Sequence, residues 1–174
     1  PRCEPPPGGP RPGDSHFKRR PLTIYRILIV DDHPLMRQAL RSMIADEPDF
    51  HVAGEASNGD EAITLARRLN PDAILMDLMM PVKDGLAASA ELTRTDPDTR
   101  ILALTSSIGE GSALAAVEAG VLGYVLKDAQ PAEVLHALRE VAAGCANACR
   151  PRPSTSRLSG SGDRRRVRCI GGRC

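Results

Sequence analysis

Three aspartates, a threonine and a lysine stand where apolar runs of the sequence end, and together these residue types suit phosphoryl chemistry. The residues are Asp31, Asp32, Asp77, Thr105 and Lys127. Carboxylates held close together repel one another, so they take up a proton or recruit a hard cation. Oxygen ligands with room for water favour Mg²⁺. An aspartate can also attack phosphorus and form an aspartyl phosphate.

Thr105 and Lys127 supply what such a reaction needs besides carboxylates. Attack on a phosphoryl group requires its oxygen charges to be neutralised, which an ammonium group and a cation do together. Taken singly, each residue also has an ordinary interpretation. Asp32, two residues before Pro34, suits a helix N-cap equally well, and Lys127 suits an exposed surface. The joint placement of these side chains favours a site.

Five short apolar runs position these side chains, and they are uninterrupted rather than alternating. Such runs are typical of parallel strands covered on both faces. They are residues 27–30, 52–55, 73–76, 101–104 and 121–126. Helical patterns lie between them, so we predict a doubly wound α/β domain. The functional crevice of such a fold lies beyond the C-terminal ends of the strands, where the five polar residues fall.

Helix starts have their own signals in the sequence. Pro34 and Pro131 suit the first turn of a helix, because proline lacks the amide hydrogen that is unpaired there. Ser57 with Asp60 three residues later predicts a capping box at the second helix. The third and fourth helices are predicted over residues 86–92 and 113–119, and the fifth begins at Pro131.

At this point a resemblance to a known family becomes evident. The segments ILIVDDHP, MDLMMPVKDG, LALTSS and GYVLKD resemble the receiver domain of bacterial two-component response regulators. DDHP and GYVLKD are most similar to the NarL/FixJ (LuxR-type) branch. The resemblance implies a flavodoxin-like (CheY-like) parallel sheet of five strands in the order 2-1-3-4-5, with five helices. The receiver domain is expected over residues 24–144.

The resemblance also implies a role for each carboxylate. Asp77 is expected to be the phosphorylation site and to accept phosphate from a sensor histidine kinase. Asp32 is expected to bind Mg²⁺ directly and Asp31 through water, with Asp77 and the backbone carbonyl of Met79 completing the metal site. The protein would then be a response regulator in a phosphorelay, with no enzyme activity beyond its own phosphorylation and dephosphorylation.

The switch is expected at three further residues. By the resemblance, Lys127 pairs with the phosphate, while Thr105 and Tyr124 change position when the phosphate is present. A homodimer on phosphorylation is a further expected partner state. Tyr124 is also compatible with ordinary core packing. His33 follows the acidic pair, and a lone histidine there is interpreted as shaping the loop rather than binding metal.

Two other functional classes fit less well. A phosphohydrolase of the HAD type also uses an aspartate nucleophile, but it needs a second aspartate two residues later, where this sequence has Met79. No G-x-G-x-x-G follows the first strand, so a dinucleotide site is unsupported.

The segments flanking the predicted domain differ from it in composition. Residues 1–23 are rich in Pro, Gly and Arg, and residues 145–174 carry eight basic residues against one acidic residue, so both are expected to be disordered. Residues 145–174 have too little apolar content for the helix-turn-helix that this branch usually adds. A stand-alone or truncated receiver is therefore the alternative to a transcription regulator, and we expect at most nonspecific nucleic-acid contact.

The cysteines and the apolar content bear on location. All five cysteines lie outside residues 24–144, which fits a reducing compartment such as the cytoplasm. Their spacing within residues 145–174 suits a zinc site poorly. No run of about 18 apolar residues exists, so no membrane span is expected.

Overall fold

The structure, a computed structural model, describes residues 23–106 and 110–144 and three two-residue strands beyond them. Strands and helices alternate through the first two ranges. The strands are β1 (Tyr25–Val30), β2 (Phe50–Ala56), β3 (Ala73–Asp77), β4 (Ile101–Thr105) and β5 (Gly123–Leu126). The helices are α1 (Pro34–Ala45), α2 (Gly59–Leu69), α3 (Gly85–Thr95), α4 (Glu110–Glu118) and α5 (Pro131–Ala142).

The five main strands form one parallel sheet in the order β2-β1-β3-β4-β5. The doubly wound fold and the strand order predicted for the family are thereby confirmed. The short strands are β6 (Ala148–Cys149), β7 (Arg168–Cys169) and β8 (Gly171–Gly172). β7 pairs antiparallel with β5, and β6 pairs with β8. The expected disorder of residues 1–23 and 145–174 and the cysteine interpretation concern residues largely outside the described ones, and they stay predictions.

Both faces of the sheet are buried, as the uninterrupted apolar runs predicted. Side chains of β1 alternate between two core clusters: Leu28 and Val30 face α2, α3 and α4, while Ile27 and Ile29 face α1 and α5. All four are fully buried. A shift of β1 by one residue would exchange its two sets of side chains between the clusters, so the pairing register is strongly specified. Within the described residues, no helix is long and apolar enough to cross a bilayer.

The start of α2 corrects one prediction. The N-cap is Asn58, whose side-chain oxygen accepts a hydrogen bond of 2.9 Å from the Glu61 amide. Glu61, not Asp60, reaches back, and its carboxylate accepts from the amide and hydroxyl of Ser57 at 2.7 and 2.8 Å. The capping box predicted from Ser57 and Asp60 is therefore displaced by one residue. Asparagine caps a helix as well as serine does, and the sequence offers both side by side.

The end of α4 is fixed by contacts with α3. Gly120 follows α4 with φ of +79°, and a Cβ there would lie 2.8 Å from the Thr93 side chain. The Thr93 hydroxyl donates a 2.9 Å hydrogen bond to the Ala119 carbonyl. The turn at Gly120 also delays the fifth strand, which begins at Gly123 rather than at Val121 as the apolar run suggested.

The loop between β3 and α3 contains a strained residue. Val82 has φ of +73°, in the left-handed region, and its side chain is 92% exposed. A β-branched residue there crowds its own backbone, at a cost of about 1–2 kcal/mol. Since the side chain has almost no packing to offset this cost, the strain is a net loss of stability in the loop that follows Asp77.

Arg139 of α5 holds the loop between α1 and β2. Its Nε and Nη2 atoms donate to the two carboxylate oxygens of Asp49 at 2.5 and 2.9 Å, and Nη2 also donates to Glu47. The guanidinium carbon lies 5.0 Å from the centre of the Phe50 ring. The hydrogen bond from Arg139 is the largest of the influences that lower the pKa of Asp49.

We expect Arg139→Met to destabilise the fold by about 1 kcal/mol at pH 7, a value kept low because the side chain is partly exposed to screening solvent. The folded-state pKa of Asp49 lies below its unfolded value, so the stabilisation is complete above that unfolded value and is lost as the pH falls through the folded one. The difference between wild type and variant should therefore shrink below about pH 4. Urea denaturation from pH 7 down to pH 3 measures it. Arg41→Met, which removes an exposed ion pair with Glu55, is the matched control. If both variants lost the same stability at pH 7, the contacts of Arg139 with the loop between α1 and β2 would not stabilise the fold as proposed.

We expect Val82→Gly to stabilise the protein by about 0.5–1 kcal/mol, because relief of the left-handed strain exceeds the entropy that glycine gains in the unfolded chain. Chemical denaturation of the variant, compared with Val82→Ala, measures the effect. Alanine removes the β-branch but keeps the Cβ clash, so it should recover only part of the gain. A Val82→Gly variant less stable than wild type would show that the loop is not strained.

Candidate functional site

Two neighbouring strands bring the three predicted carboxylates together. Asp31 and Asp32 follow β1, Asp77 ends β3, and the strands pair in parallel with Val30 opposite Met76. Asp31 and Asp77 are completely buried, and Asp32 keeps 22% of its side chain exposed. Ligand atoms of these three residues and of His33 all lie within 4.8 Å of one another. The strand ends therefore form one acidic rim.

Lys127, which follows β5, lies between two of these carboxylates. Its Nζ donates to Asp31 Oδ2 at 2.8 Å and to Asp77 Oδ2 at 2.7 Å. Its amide donates to the Thr105 carbonyl at 2.9 Å, which fixes the residue against the end of β4. One ammonium group thus joins the ends of β1, β3 and β5, as the sequence pattern predicted for a shared site.

The other carboxylate oxygens show where a cation fits. Asp31 Oδ1 accepts from the His33 amide at 2.8 Å, and Asp77 Oδ1 accepts from the Met79 amide at 3.0 Å. Asp32 Oδ1 is buried and accepts no hydrogen bond from any described residue. A buried, unsatisfied carboxylate oxygen is costly unless something else neutralises it. The donor set and this orphaned oxygen fit a hard divalent cation.

The electrostatics of the rim also favour a cation. Burial raises the pKa of Asp77, and this outweighs the opposing hydrogen bonds from Lys127 and Met79. Burial disfavours the charged form of Lys127, but its hydrogen bonds to Asp31 and Asp77 prevail and raise its pKa. Lys127 is therefore a permanent cation at neutral pH. Three carboxylates against one ammonium group leave excess negative charge, which attracts a further cation.

Asp32 is not a helix cap. The N-cap of α1 is His33, with Pro34 in the first turn, so the alternative interpretation of Asp32 as an N-cap is wrong. The N-cap residue of a helix has an extended backbone and directly precedes the first helical residue. His33 occupies that position with φ of −85° and ψ of 113°, and Asp32 lies one residue before it. The Asp32 carboxylate is thereby left at the rim.

The two predicted switch residues occupy different surroundings. Thr105 ends β4 beside the acidic rim, since its neighbour Leu104 pairs with Asp77, and only 7% of Thr105 is exposed. Tyr124 lies in β5 and belongs to the buried cluster that faces α2, α3 and α4. The structure therefore brings Thr105 to the rim with the carboxylates and places Tyr124 in the core.

Two residues that support the site were missed in the sequence. Arg37 of α1 donates from Nη1 to the main-chain carbonyl of Asp31 at 2.7 Å, which holds the acidic loop against the helix. Gly85 begins α3 so close to β3 that an added Cβ would overlap the backbone oxygen of Asp77. The sequence does contain a signal for Gly85, a glycine directly after the N-cap residue Asp84. For Arg37 it contains only the position of the residue on the first helix.

Comparison with known proteins agrees with this geometry. Residues 27–139 match the family model described as the response regulator receiver domain. The chain is 41% identical over 121 residues to the transcriptional regulatory protein LiaR of Bacillus subtilis, covering 70% of this chain and 57% of that protein. It is 42% identical over 118 residues to the nitrate/nitrite response regulator NarL of Escherichia coli K12, covering 68% and 55%.

Solved structures give the same result. A LuxR-family two-component response regulator from Aurantimonas superimposes with a TM-score of 0.67 at 40% identity, covering 70% of this chain and 86% of that one. The chain spans little more than half the length of the curated relatives named above. With the family model matching most of the chain, and with the predicted sheet order and acidic rim in place, the chain belongs to the family of response regulator receiver domains.

Proposed function

We propose that this receiver domain is a phosphoacceptor switch in which Asp77 takes a phosphoryl group from a phosphohistidine of a sensor histidine kinase. The observation that carries the proposal is the shared ammonium of Lys127 between Asp31 and Asp77, beside the orphaned oxygen of Asp32. A nucleophile, a fixed positive charge and carboxylates suited to a second cation are the parts that phosphoryl transfer to a carboxylate needs.

The proposed reaction forms one bond and breaks one. A carboxylate oxygen of Asp77 attacks phosphorus, the bond between phosphorus and the donor histidine nitrogen breaks, and that nitrogen keeps the electron pair. Lys127, 2.7 Å from Asp77 Oδ2, is already placed to neutralise a phosphoryl oxygen next to that atom. The Met79 amide fixes the other oxygen of Asp77 and so orients the carboxylate. These contacts are made before the donor arrives, so little reorganisation is required.

The cation we infer is Mg²⁺, held by Asp32, Asp77 and the Met79 carbonyl, with Asp31 acting through water. Asp32 Oδ1 is buried and accepts no hydrogen bond from a described residue, and this supports direct binding by Asp32. When bound, Mg²⁺ would neutralise the phosphoryl oxygens that Lys127 does not reach.

Phosphorylation would add roughly −1.5 to −2 units of charge at the end of β3. We infer that Lys127 then turns from Asp31 to the phosphate and that the Thr105 hydroxyl moves toward it. Tyr124, which lies in β5 three residues before Lys127, would follow into the space that Thr105 leaves. This sequence of movements would change the surface formed by α4, β5 and α5, where partner preference is then set.

The partners and output follow from the same proposal. We infer a signalling role in which Asp77 itself is modified, without enzyme activity toward other molecules. The partner is a sensor histidine kinase, with homodimerisation on phosphorylation. We infer regulation of transcription as the output in the cytoplasm, in keeping with the name of LiaR, a transcriptional regulatory protein, and with a cysteine-free stretch from residue 24 to residue 144.

Asp77→Asn should abolish phosphorylation by acetyl phosphate in the presence of Mg²⁺, because an amide oxygen is a poor nucleophile. Mass spectrometry or a phosphate-affinity gel detects the acyl phosphate on the intact protein. Asp98→Asn, at an exposed position in the turn between α3 and β4, is the matched control and should be phosphorylated like wild type. Undiminished labelling of Asp77→Asn would place the phosphate elsewhere.

Lys127→Met should destabilise the protein by about 1–3 kcal/mol, because two buried carboxylates lose their shared donor. Mg²⁺ should restore more stability to this variant than it adds to wild type, since the cation then replaces the positive charge of the lost ammonium group and binds the native state more tightly. Urea denaturation with and without Mg²⁺ measures both effects. An equal response of the two proteins to Mg²⁺ would show that the cation does not bind beside Lys127.

A further inference from the structure

We propose that His33 is a ligand of the cation site and that it shifts the preference of this site from Mg²⁺ toward first-row transition metals such as Mn²⁺. The inference rests on the proposed function, because it concerns the cation that this function requires. It departs from the sequence interpretation, in which His33 only shapes the loop.

The position of the imidazole carries the argument. Nδ1 of His33 lies 2.9 Å from Asp32 Oδ1 and 3.6 Å from Asp31 Oδ1. Neighbouring ligands of a six-coordinate ion, each about 2.1 Å from it, are about 3 Å apart, which is the spacing of the His33 and Asp32 atoms. The nearby Asp32 Oδ1 nevertheless accepts no hydrogen bond from the imidazole or from any other described residue. The two ligand atoms are thus spaced as they would be if they shared a cation.

Neither helix capping nor core packing explains the His33 side chain. It is the N-cap residue of α1, but its imidazole makes no capping hydrogen bond to the amides of the first turn, all of which are described. About 70% of the side chain is exposed, so it contributes little to the core. Serine, threonine, asparagine or aspartate would cap the helix better. The imidazole instead lies over the carboxylates.

A nitrogen ligand changes which ions the rim prefers. Mg²⁺ prefers oxygen ligands and keeps several waters, so an imidazole adds little to its affinity. Imidazole nitrogen binds the divalent ions of the Irving–Williams series, which begins with Mn²⁺ and rises toward Cu²⁺. A rim of three carboxylates and one imidazole should therefore select transition metals more strongly than a rim of carboxylates alone.

Mn²⁺ alone is the probe for the test. It accepts both oxygen and nitrogen ligands, and it avoids the thiolates of the five cysteines, which softer ions would occupy. Pulsed electron paramagnetic resonance of the Mn²⁺-loaded full chain reports a directly bound nitrogen through its electron spin-echo modulation. Titration with Mn²⁺ and with Mg²⁺, each followed by calorimetry, gives the ratio of the two dissociation constants.

Wild type should show the modulation of one imidazole nitrogen, and His33→Gln should lose it. Glutamine keeps an oxygen of similar reach, so the selectivity for Mn²⁺ over Mg²⁺ should fall by about tenfold or more as nitrogen is replaced by oxygen. His136→Gln, which removes an exposed histidine of α5, is the matched control and should keep both the modulation and the wild-type selectivity.

Two results would overturn the inference, and they have different meanings. If wild type binds Mn²⁺ without nitrogen modulation, His33 is a charge partner of Asp32 rather than a ligand, and the proposed phosphoacceptor function stands. If wild type binds neither Mn²⁺ nor Mg²⁺, the cation site itself is absent, and the proposed function fails with it. Modulation that survives in His33→Gln would assign the nitrogen to another residue and also contradict the proposal.

Discussion

The contact on which the rest of the site depends is the ammonium of Lys127 between Asp31 and Asp77. Its two hydrogen bonds, of 2.8 and 2.7 Å, connect residues that lie 96 and 50 positions from Lys127 in the chain. Two buried carboxylates so close together are tolerated because a cation lies between them. That arrangement in turn requires the ends of β1, β3 and β5 to be level, which the parallel order β2-β1-β3-β4-β5 provides.

Because Lys127 is shared by two carboxylates, a change of charge at Asp77 would also change the position of the lysine side chain. Any group that draws the ammonium toward Asp77 must loosen its contact with Asp31, because Nζ serves both. The Lys127 amide donates a hydrogen bond to the Thr105 carbonyl, so a shift of the Lys127 backbone would also shift the end of β4. The coupling between the carboxylates and the end of β4 therefore passes through Lys127 alone and does not require side chains of the core. Two neighbouring strand ends respond together because one side chain and one backbone hydrogen bond join them.

Much of this arrangement was readable in the sequence, and the exceptions have physical reasons. Uninterrupted apolar runs predicted buried parallel strands, and polar residues directly after them predicted the acidic rim. The N-cap at Asn58 was missed because Ser57 is an equally good capping residue, and only the backbone conformation decides between neighbours. The roles of Arg37 and Gly85 were missed because they are contacts with the main chain of Asp31 and Asp77, and such contacts follow from the folded path of the backbone.

The same distinction applies to His33. Its residue type was plain in the sequence, but the meaning of a histidine depends on the direction of its ring and on what the nearby oxygens already accept. The orphaned Asp32 oxygen gives that context, and the sequence could not, since hydrogen-bond partners follow from side-chain positions. Sequence patterns therefore predict well where the chemically active residues lie, but they predict the role of each residue poorly.

The attachment of α4 to α3 has a consequence for how this domain moves. The hydroxyl of Thr93 and the tight turn at Gly120 anchor the C-terminal end of α4, so that end behaves as a pivot. A helix held at one end swings rather than slides, and its displacement grows with distance from the anchor. Glu110, at the other end, lies eight residues from Glu118, about 12 Å at 1.5 Å per residue, so a tilt of a few degrees at the pivot is magnified there. Any tilt of α4 about its anchored end therefore displaces its N-terminal end the most.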